Sequence, residues 1–198
     1  MRPKGKPDKE LYEIRKEALG LLEQQSEIGQ IDLYYGDETC ISEEGFVPYG
    51  WQFNDEDVCI EVQKGRSINL FGLISRSNDF LYKLSEKNIN SNFIVEFLDD
   101  LSLSIEKKTV IILDNASIHK ARKVINLLEC WQQRGLYIFF LPPYSPQLNI
   151  AERLWKEIKE GWIKPSDYLD ADNLFYAIDR ICANIGENLF LKFSKYSF

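Results

Sequence analysis

"TVIILDNASIHKA", residues 109–121, sets five residues with no charge among them directly against Asp114 and Asn115. A strand with one wet face alternates apolar and polar residues, so an uninterrupted run of this kind predicts a strand covered on both faces. Two polar residues at its end add little to a core. In α/β sheets, sites form outside the carboxyl ends of parallel strands. The stretch therefore predicts a buried parallel strand that delivers Asp114 to a site.

Working outward, LYIFFL (136–141) repeats the pattern and predicts a second fully buried strand. Between the two, Ile118, Ala121, Ile125, Leu128 and Trp131 recur at helical spacing, with Gly135 as the stop. A parallel pair joined through a helix is the expected connection. Upstream, Ile94, Phe97, Leu98 and Leu101 mark a helix with Ser91 or Asn92 available as its N-cap. Before it come three β-rich runs, IDLYYGDE (31–38), SINLFGLIS (67–75) and DFLYKLSE (79–86). The first two are separated by a turn-rich, hairpin-like region at 43–67. A helix from about Asp8 to Glu27 opens the chain, with Leu11, Ile14, Ala18, Leu21 and Leu22 on one stripe. Downstream, PPYSPQLN reads as a rigid loop and IAERLWKEIKEGW as a helix with Ile150, Leu154, Trp155, Ile158 and Trp162 inward. A last helix spans about Ala171 to Ile185. The order β-β-β-α-β-α-β-α predicts an α/β protein: a ribonuclease-H-like mixed sheet of about five strands, three antiparallel and then parallel, flanked by helices. The expected organisation is an N-terminal helix or linker (1–30), a catalytic domain (31–165) and a C-terminal helical extension (166–198).

With 198 residues, 44% apolar and 13% aromatic, the chain is long enough to bury a core without staples. It shows neither a membrane-length apolar run nor a signal-peptide pattern, which predicts a soluble cytoplasmic protein. Cys40, Cys59, Cys130 and Cys182 are widely spaced, and the single His119 leaves no second imidazole for a zinc site. The net charge of −7 argues against indiscriminate binding to nucleic acid, yet it is unevenly spread. Residues 1–114 hold 13 basic and 22 acidic side chains, whereas residues 115–165 hold 8 and 4. A locally basic segment follows Asp114, either an ordinary solvated face or a surface for phosphates.

Three acids fall where such a sheet can gather them. Asp37 closes the first strand, Asp114 closes the fourth, and Glu152 lies in the first turn of the helix after the fifth. Three convergent carboxylates repel one another, and a hard divalent cation relieves that repulsion. Mg²⁺ keeps several waters and binds carboxylates together with substrate phosphate. Two such ions about 4 Å apart suit phosphodiester chemistry. Each acid also has a plainer reading: Asp37 as a strand end, Asp114 as an Asx-turn, and Glu152 as the partner of Asn149 in a capping box. Glu38 neighbours Asp37 but is expected to point the other way along an extended chain, which ranks it second as a ligand.

The blocks YYGDET, VIILDNASIHKA and FFLPPYSPQLNIAERLWKEIK together resemble the catalytic domain of DDE transposases of the mariner-like superfamily, in its bacterial insertion-sequence-630 branch. The likeness runs from about residue 8 to 165. It implies that Asp37, Asp114 and Glu152 are the catalytic, metal-holding residues, with 37 residues between the last two. It also implies two Mg²⁺ or Mn²⁺ ions during catalysis, and as substrates the element's terminal inverted repeats and a target DNA, typically cut at TA. A homodimer assembled on DNA and bacterial, nucleoid-associated work are further implications. Ile150 stands where the family usually has Pro, a change that affects only the presetting of a helical turn. No helix-turn-helix region fits before Ile31, so a separate subunit of that type is a possible partner.

Around the acids, Asn115 is expected to orient Asp114, and His119 to sit at the mouth of the site, touching phosphate or a water, unless it caps a turn. Asn149 belongs to the loop that delivers Glu152, and Tyr144 either contacts DNA or packs. Lys156 and Lys159 share a helix face with Glu152 and suit DNA phosphates, although Lys156 also fits an i,i+4 ion pair. Trp131, Trp155 and Trp162 read as core. Two rivals remain: a ribonuclease-H-like nuclease that only hydrolyses, and an inactive transposase remnant that acts as a binding module.

Overall fold

The computed structural model describes residues 9–43 and 65–193. Most of the hairpin-like region expected at 43–67, including Cys59, lies outside them. Five strands form one mixed sheet: β1 (Asp32–Ser42), β2 (Ser67–Ile74), β3 (Phe80–Ser85), β4 (Thr109–Leu113) and β5 (Leu136–Phe140). Their spatial order is β3-β2-β1-β4-β5, with β1, β2 and β3 antiparallel and β1, β4 and β5 parallel. The expected architecture is present, and β1 and β4 are neighbours.

Helices cover both faces. One layer holds α1 (Lys9–Glu27), α5 (Ala151–Glu157) and α6 (Ala171–Asn184). The other holds α2 (Ser91–Ser104), α3 (Arg122–Ile125) and α4 (Leu128–Gln133). The alternation of side chains along each strand divides the core accordingly. Leu33, Tyr35, Val110 and Ile112 pack with Leu154, Trp155 and Ile178. Ile111 and Leu113 pack on the opposite face with Phe71, Leu98 and Trp131. TVIIL is buried at all five positions, as its composition predicts.

Several expectations change in detail. β1 does not end near Asp37; it continues to Ser42 because β2 pairs with it along that length, from Tyr35↔Ile74 to Ser42↔Ser67. Its ladder with the shorter β4 stops at Tyr35↔Ile112. Asp37 thus lies mid-strand, just past the carboxyl edge of the parallel pair. Only Leu136 of β5 is buried, since β5 is an edge strand and its other residues are half-covered. The helix expected from Ile118 is instead a turn followed by the short α3 and α4, because the chain first wraps inward around His119. Asn90, not Ser91 or Asn92, caps α2, its side chain accepting from the backbone N–H groups of Asn92 and Phe93. After Glu157 the helix of α5 widens into a π turn at Ile158–Trp162.

The largest correction falls on α1. Leu11, Ile14 and Leu21 are exposed, and the helix instead buries Leu19, Gly20 and Glu23. Glu23 is drawn in by polar partners: the Tyr35 hydroxyl donates to it, and Arg76 pairs with it at 2.7 Å. A buried carboxylate needs such partners, and providing them turns the helix by about one residue. No helix among the described residues is long and apolar enough to cross a membrane.

Candidate active site

The register of β1 and β4 decides which acids meet. Tyr35 and Ile112 are paired and point to the same face. Two residues further on each chain stand Asp37 and Asp114, so both carboxylates emerge on that face at the sheet's carboxyl edge. The same face carries α5, whose Leu154 and Trp155 are buried in its core, and Glu152 opens that helix. Asp37, Asp114 and Glu152 line one cleft of about 540 Å³ together with Asn115, Lys120, Tyr144 and Asn149.

Two asparagines fasten the segments that bear these acids. Asn115 donates from its side-chain amide to the carbonyl of Leu141, tying the end of β4 to the loop after β5. Asn149, buried, donates to the Gly36 carbonyl at 3.1 Å, beside Asp37. Its Oδ1 accepts the Ala151 N–H at 3.1 Å, so Asn149 also holds the first residue of α5, whose N-cap is Ile150. A capping box would engage Glu152 as well. The Glu152 carboxylate instead stands exposed and has no hydrogen bond or ion pair with any described residue.

Each of the other acids is held by a side chain. The indole N–H of Trp155 donates to Asp37 Oδ2 at 3.0 Å. Trp155 can lie there because Gly72, the β2 partner of Asp37, has no side chain; a Cβ at that position would come within 2.9 Å of the indole and 2.6 Å of the Phe80 ring. Asp114 accepts the Ala116 N–H at 2.8 Å in an Asx-turn, and the same oxygen lies 2.8 Å from His119 Nδ1. The Asx-turn expected at Asp114 is present, and the carboxylate that makes it also lines the cleft.

His119 is fully buried rather than at the mouth of the site, so it braces Asp114 and does not reach a phosphate. Its Nε2 lies 3.1 Å from Glu38 Oε2, an ion-pair contact without good hydrogen-bond alignment. Glu38 points to the face opposite Asp37, as an extended chain requires, and there it backs the histidine. Burial alone would depress His119. The hydrogen bond to Asp114 and the contact with and charge of Glu38 outweigh it and lift the imidazole to about 9.

The electrostatics of the acids differ. Burial, then the Glu38 and Glu152 charges, and less strongly Asp114, push Asp37 up to about 7, against the pull of the Trp155 N–H. Burial also raises Asp114, but the His119 hydrogen bond, the Ala116 N–H and the positive charges of His119 and Lys120 bring it below the usual carboxylate range. Asp37 is thus a partly buried carboxylate surrounded by acids, a situation that a bound cation relieves. The donors are all carboxylate oxygens, which fit Mg²⁺ or Mn²⁺ rather than a soft metal. Among the described residues no three such side chains stand close enough to enclose an ion by themselves.

Lys156 pairs with Glu160 at 3.8 Å on the exposed helix surface, and neither it nor Lys159 lines the cleft. Lys120, at the end of the His119 turn, does. Glu38, ranked second as a ligand, instead backs His119, while Trp155, read as core, and Lys120, seen only within a basic segment, are the residues the sequence did not single out. The available signal was the spacing Glu152-x-x-Trp155, which puts the indole one turn along the same helix.

The family pattern described as "DDE superfamily endonuclease" matches residues 32–174. Among solved structures, the Mos1 transposase paired-end complex with the left transposon end superposes with a TM-score of 0.65 at 16% identity, covering 91% of this chain and 56% of that one. The Mos1 mariner paired-end complex with Mn gives 0.66 at 16%, covering 92% and 58%. The catalytic core domain of BIV integrase gives 0.50 at 14%, covering 80% and 85%. These likenesses establish the ribonuclease-H-like fold shared by transposase and integrase cores. An uncharacterised protein of Sinorhizobium fredii (strain NBRC 101917 / NGR234), y4pE/y4sA, is 28% identical over 81 residues, 40% of this chain and 56% of that protein. The chain spans a little over half the length of the Mos1 transposase and of the S. fredii protein.

Proposed function

The chain belongs to the DDE superfamily endonuclease family, and from that premise we propose that it is the catalytic domain of a metal-dependent DNA transposase. It would cleave the ends of a mobile element and join the freed 3′-hydroxyl to target DNA, typically at TA. The observation that carries this reading is the convergence of Asp37, Asp114 and Glu152, from three separate elements, on one face and one cleft. The fold shared with Mos1 complexes that contain Mg or Mn lends further support.

Asp37, Asp114 and Glu152 would hold two Mg²⁺ or Mn²⁺ ions. When bound, such ions supply charge stabilisation at the scissile phosphate and a lowered pKa for the attacking hydroxyl. The protein's own groups do the positioning. Trp155 and His119 fix the directions of Asp37 and Asp114. Asn115 and Asn149 keep the three acid-bearing segments in register. Glu152, without an internal partner, is left available to ligands. Lys120 offers the cleft a positive charge for a DNA phosphate, and Lys156 and Lys159, outside the cleft, would meet phosphates of the DNA beyond it. A dimer on DNA and a helix-turn-helix region that finds the element's ends would complete the assembly.

The test is incubation of DNA carrying the flanking inverted repeats with Mg²⁺ or Mn²⁺, comparing the parent with Asp114→Asn. The expected result is cut ends and joined molecules with the parent and neither with the variant. Cut ends without joining would identify a hydrolase of the same fold. Equal products from both proteins, or none from the parent, would remove the proposal.

A further inference from the structure

Between the end of β5 and α5 the chain runs Leu141-Pro-Pro-Tyr-Ser-Pro-Gln-Leu-Asn149. The loop is anchored at both ends by the Asn115 and Asn149 bonds described above. Ser145 and Leu148 are buried beneath it, with the Leu148 N–H donating to the Ser145 carbonyl at 3.1 Å. At its crest Tyr144 has φ = 58°, the left-handed region that glycine adopts freely and that an aromatic residue enters only at a cost. That cost is usually recovered by packing. Here the residue is 60% exposed. Among the described residues its ring stacks on no other aromatic and its hydroxyl has no partner. A stiff, doubly anchored loop therefore holds a strained, exposed aromatic residue in the lining of the acidic cleft.

The neighbours of that ring indicate what it would meet. The cleft is lined by the carboxylates of Asp37, Asp114 and Glu152, which suit cations, by Lys120, whose ammonium suits an anion, and by Tyr144. Cation-bridged phosphate, direct phosphate contact and an aromatic platform are together the features of a nucleotide. Every nucleobase has a π-face, and stacking on a protein aromatic is how single-stranded or unpaired bases are received. We propose that Tyr144 is the stacking platform for a nucleobase adjacent to the scissile phosphate, unstacked from its duplex while the backbone enters the cleft. The inference rests on the DNA-processing reading above and deepens it: it assigns a base-binding subsite and a specificity-bearing residue. Because the platform presents a ring face and not a hydrogen-bond pattern, it discriminates unpaired from paired bases more than one base from another.

The experiment measures binding and chemistry separately. A fluorescein-labelled duplex carrying the flanking inverted repeat is titrated by anisotropy in Ca²⁺, which supports binding without cutting, using the full chain and Tyr144→Phe, Tyr144→Leu and Tyr144→Gly. Phe keeps the ring and is expected to bind within about twofold of the parent. Leu keeps comparable bulk without a π-face and is expected to weaken binding roughly ten- to hundredfold, the range for loss of one stacked base. Gly removes the strain, so its melting temperature is expected to rise while its binding falls. A merely structural Tyr144 would give the opposite sign in melting. The same titrations are repeated with single abasic positions next to the cleavage point. At one position, loss of the base should weaken the parent as much as Tyr144→Leu does, and cost that variant nothing further. The inference is overturned if Leu binds like the parent, or if every abasic position costs the two proteins equally. If the parent still cuts DNA in Mg²⁺ under either result, the catalytic reading stands and only the platform falls. A parent that neither binds nor cuts overturns both.

Discussion

Removing the charge of Asp37 should make the metal-free protein more tolerant of high pH, and the structure gives the size of the effect. In the unfolded chain this carboxyl titrates near 3.8; in the fold, burial and then the Glu38, Glu152 and Asp114 charges bring it to about 7. Between those values the unfolded chain has released its proton and the folded chain has not. The native state therefore loses stability as pH rises through that window, at about 1.4 kcal/mol per pH unit, and the loss levels off above about 7. From pH 5 to pH 8 Asp37 accounts for roughly 3 kcal/mol, which for a chain of this size corresponds to about 6–11 °C of melting temperature. The assay is thermal unfolding in EDTA at the two pH values, for the parent and Asp37→Asn. The parent should lose that much more than the variant on going to pH 8. Mg²⁺ added at pH 8 should restore the parent and leave Asp37→Asn little changed. If both proteins respond alike to pH, the acids are not crowded in the way described, and the argument for a cation at this place fails.

The remaining predictions concern the groups that hold the acids. Trp155→Phe keeps most of the packing but deletes the N–H on Asp37 Oδ2. Mn²⁺ affinity should fall by about tenfold, the acid limb of the activity profile should move to higher pH, and an unchanged profile would release Trp155 from the site. Gly72→Ala would set a Cβ at 2.9 Å from that indole and 2.6 Å from Phe80. It should cost about 1–3 kcal/mol and weaken Mn²⁺ binding more than a core variant of equal stability does. His119→Gln removes a cation whose raised pKa of about 9 stabilises the fold fully below about 6.5, an advantage lost as pH rises through about 9. Melting curves in EDTA should show the largest deficit near pH 6, about 3 kcal/mol, closing above pH 9; a deficit independent of pH would mean that His119 acts by packing alone. Glu152→Gln, at an exposed and unpaired carboxylate, should leave the melting temperature within about 2 °C and abolish DNA cleavage.

What the sequence disclosed, and what it withheld, follow from how local each feature is. TVIIL needs no partner to identify it as a doubly covered strand, so the place of Asp114 was legible. The positions of Asp37 and Glu152 followed once the order of elements put β1 beside β4. The continuation of β1 past Asp37 was not legible, because it depends on β2 being longer than β4. The turn of α1 was hidden for a similar reason: two adjacent stripes competed, and the one bearing Glu23 went inward because Tyr35 and Arg76, far along the chain, supply its partners. The burial of His119 between Asp114 and Glu38 joins both faces of the sheet edge, which no spacing rule encodes. Trp155 read as core and is core, yet its one polar atom serves Asp37. Its room comes from Gly72 on a different strand, a relation visible only when strand register is known. The basic segment after Asp114 was seen in composition, but the structure puts Lys120, and not Lys156 or Lys159, into the cleft.

The central claim is that Asp37, Asp114 and Glu152 share divalent ions in one cleft. Anomalous scattering from crystals of the full chain with DNA, soaked in Mn²⁺, tests it most directly. Manganese peaks are expected in coordinating contact with Asp37 and Asp114, with Glu152 on at least one of them. Peaks elsewhere on the chain, or manganese in the cleft with Glu152 turned away from it, would contradict the account.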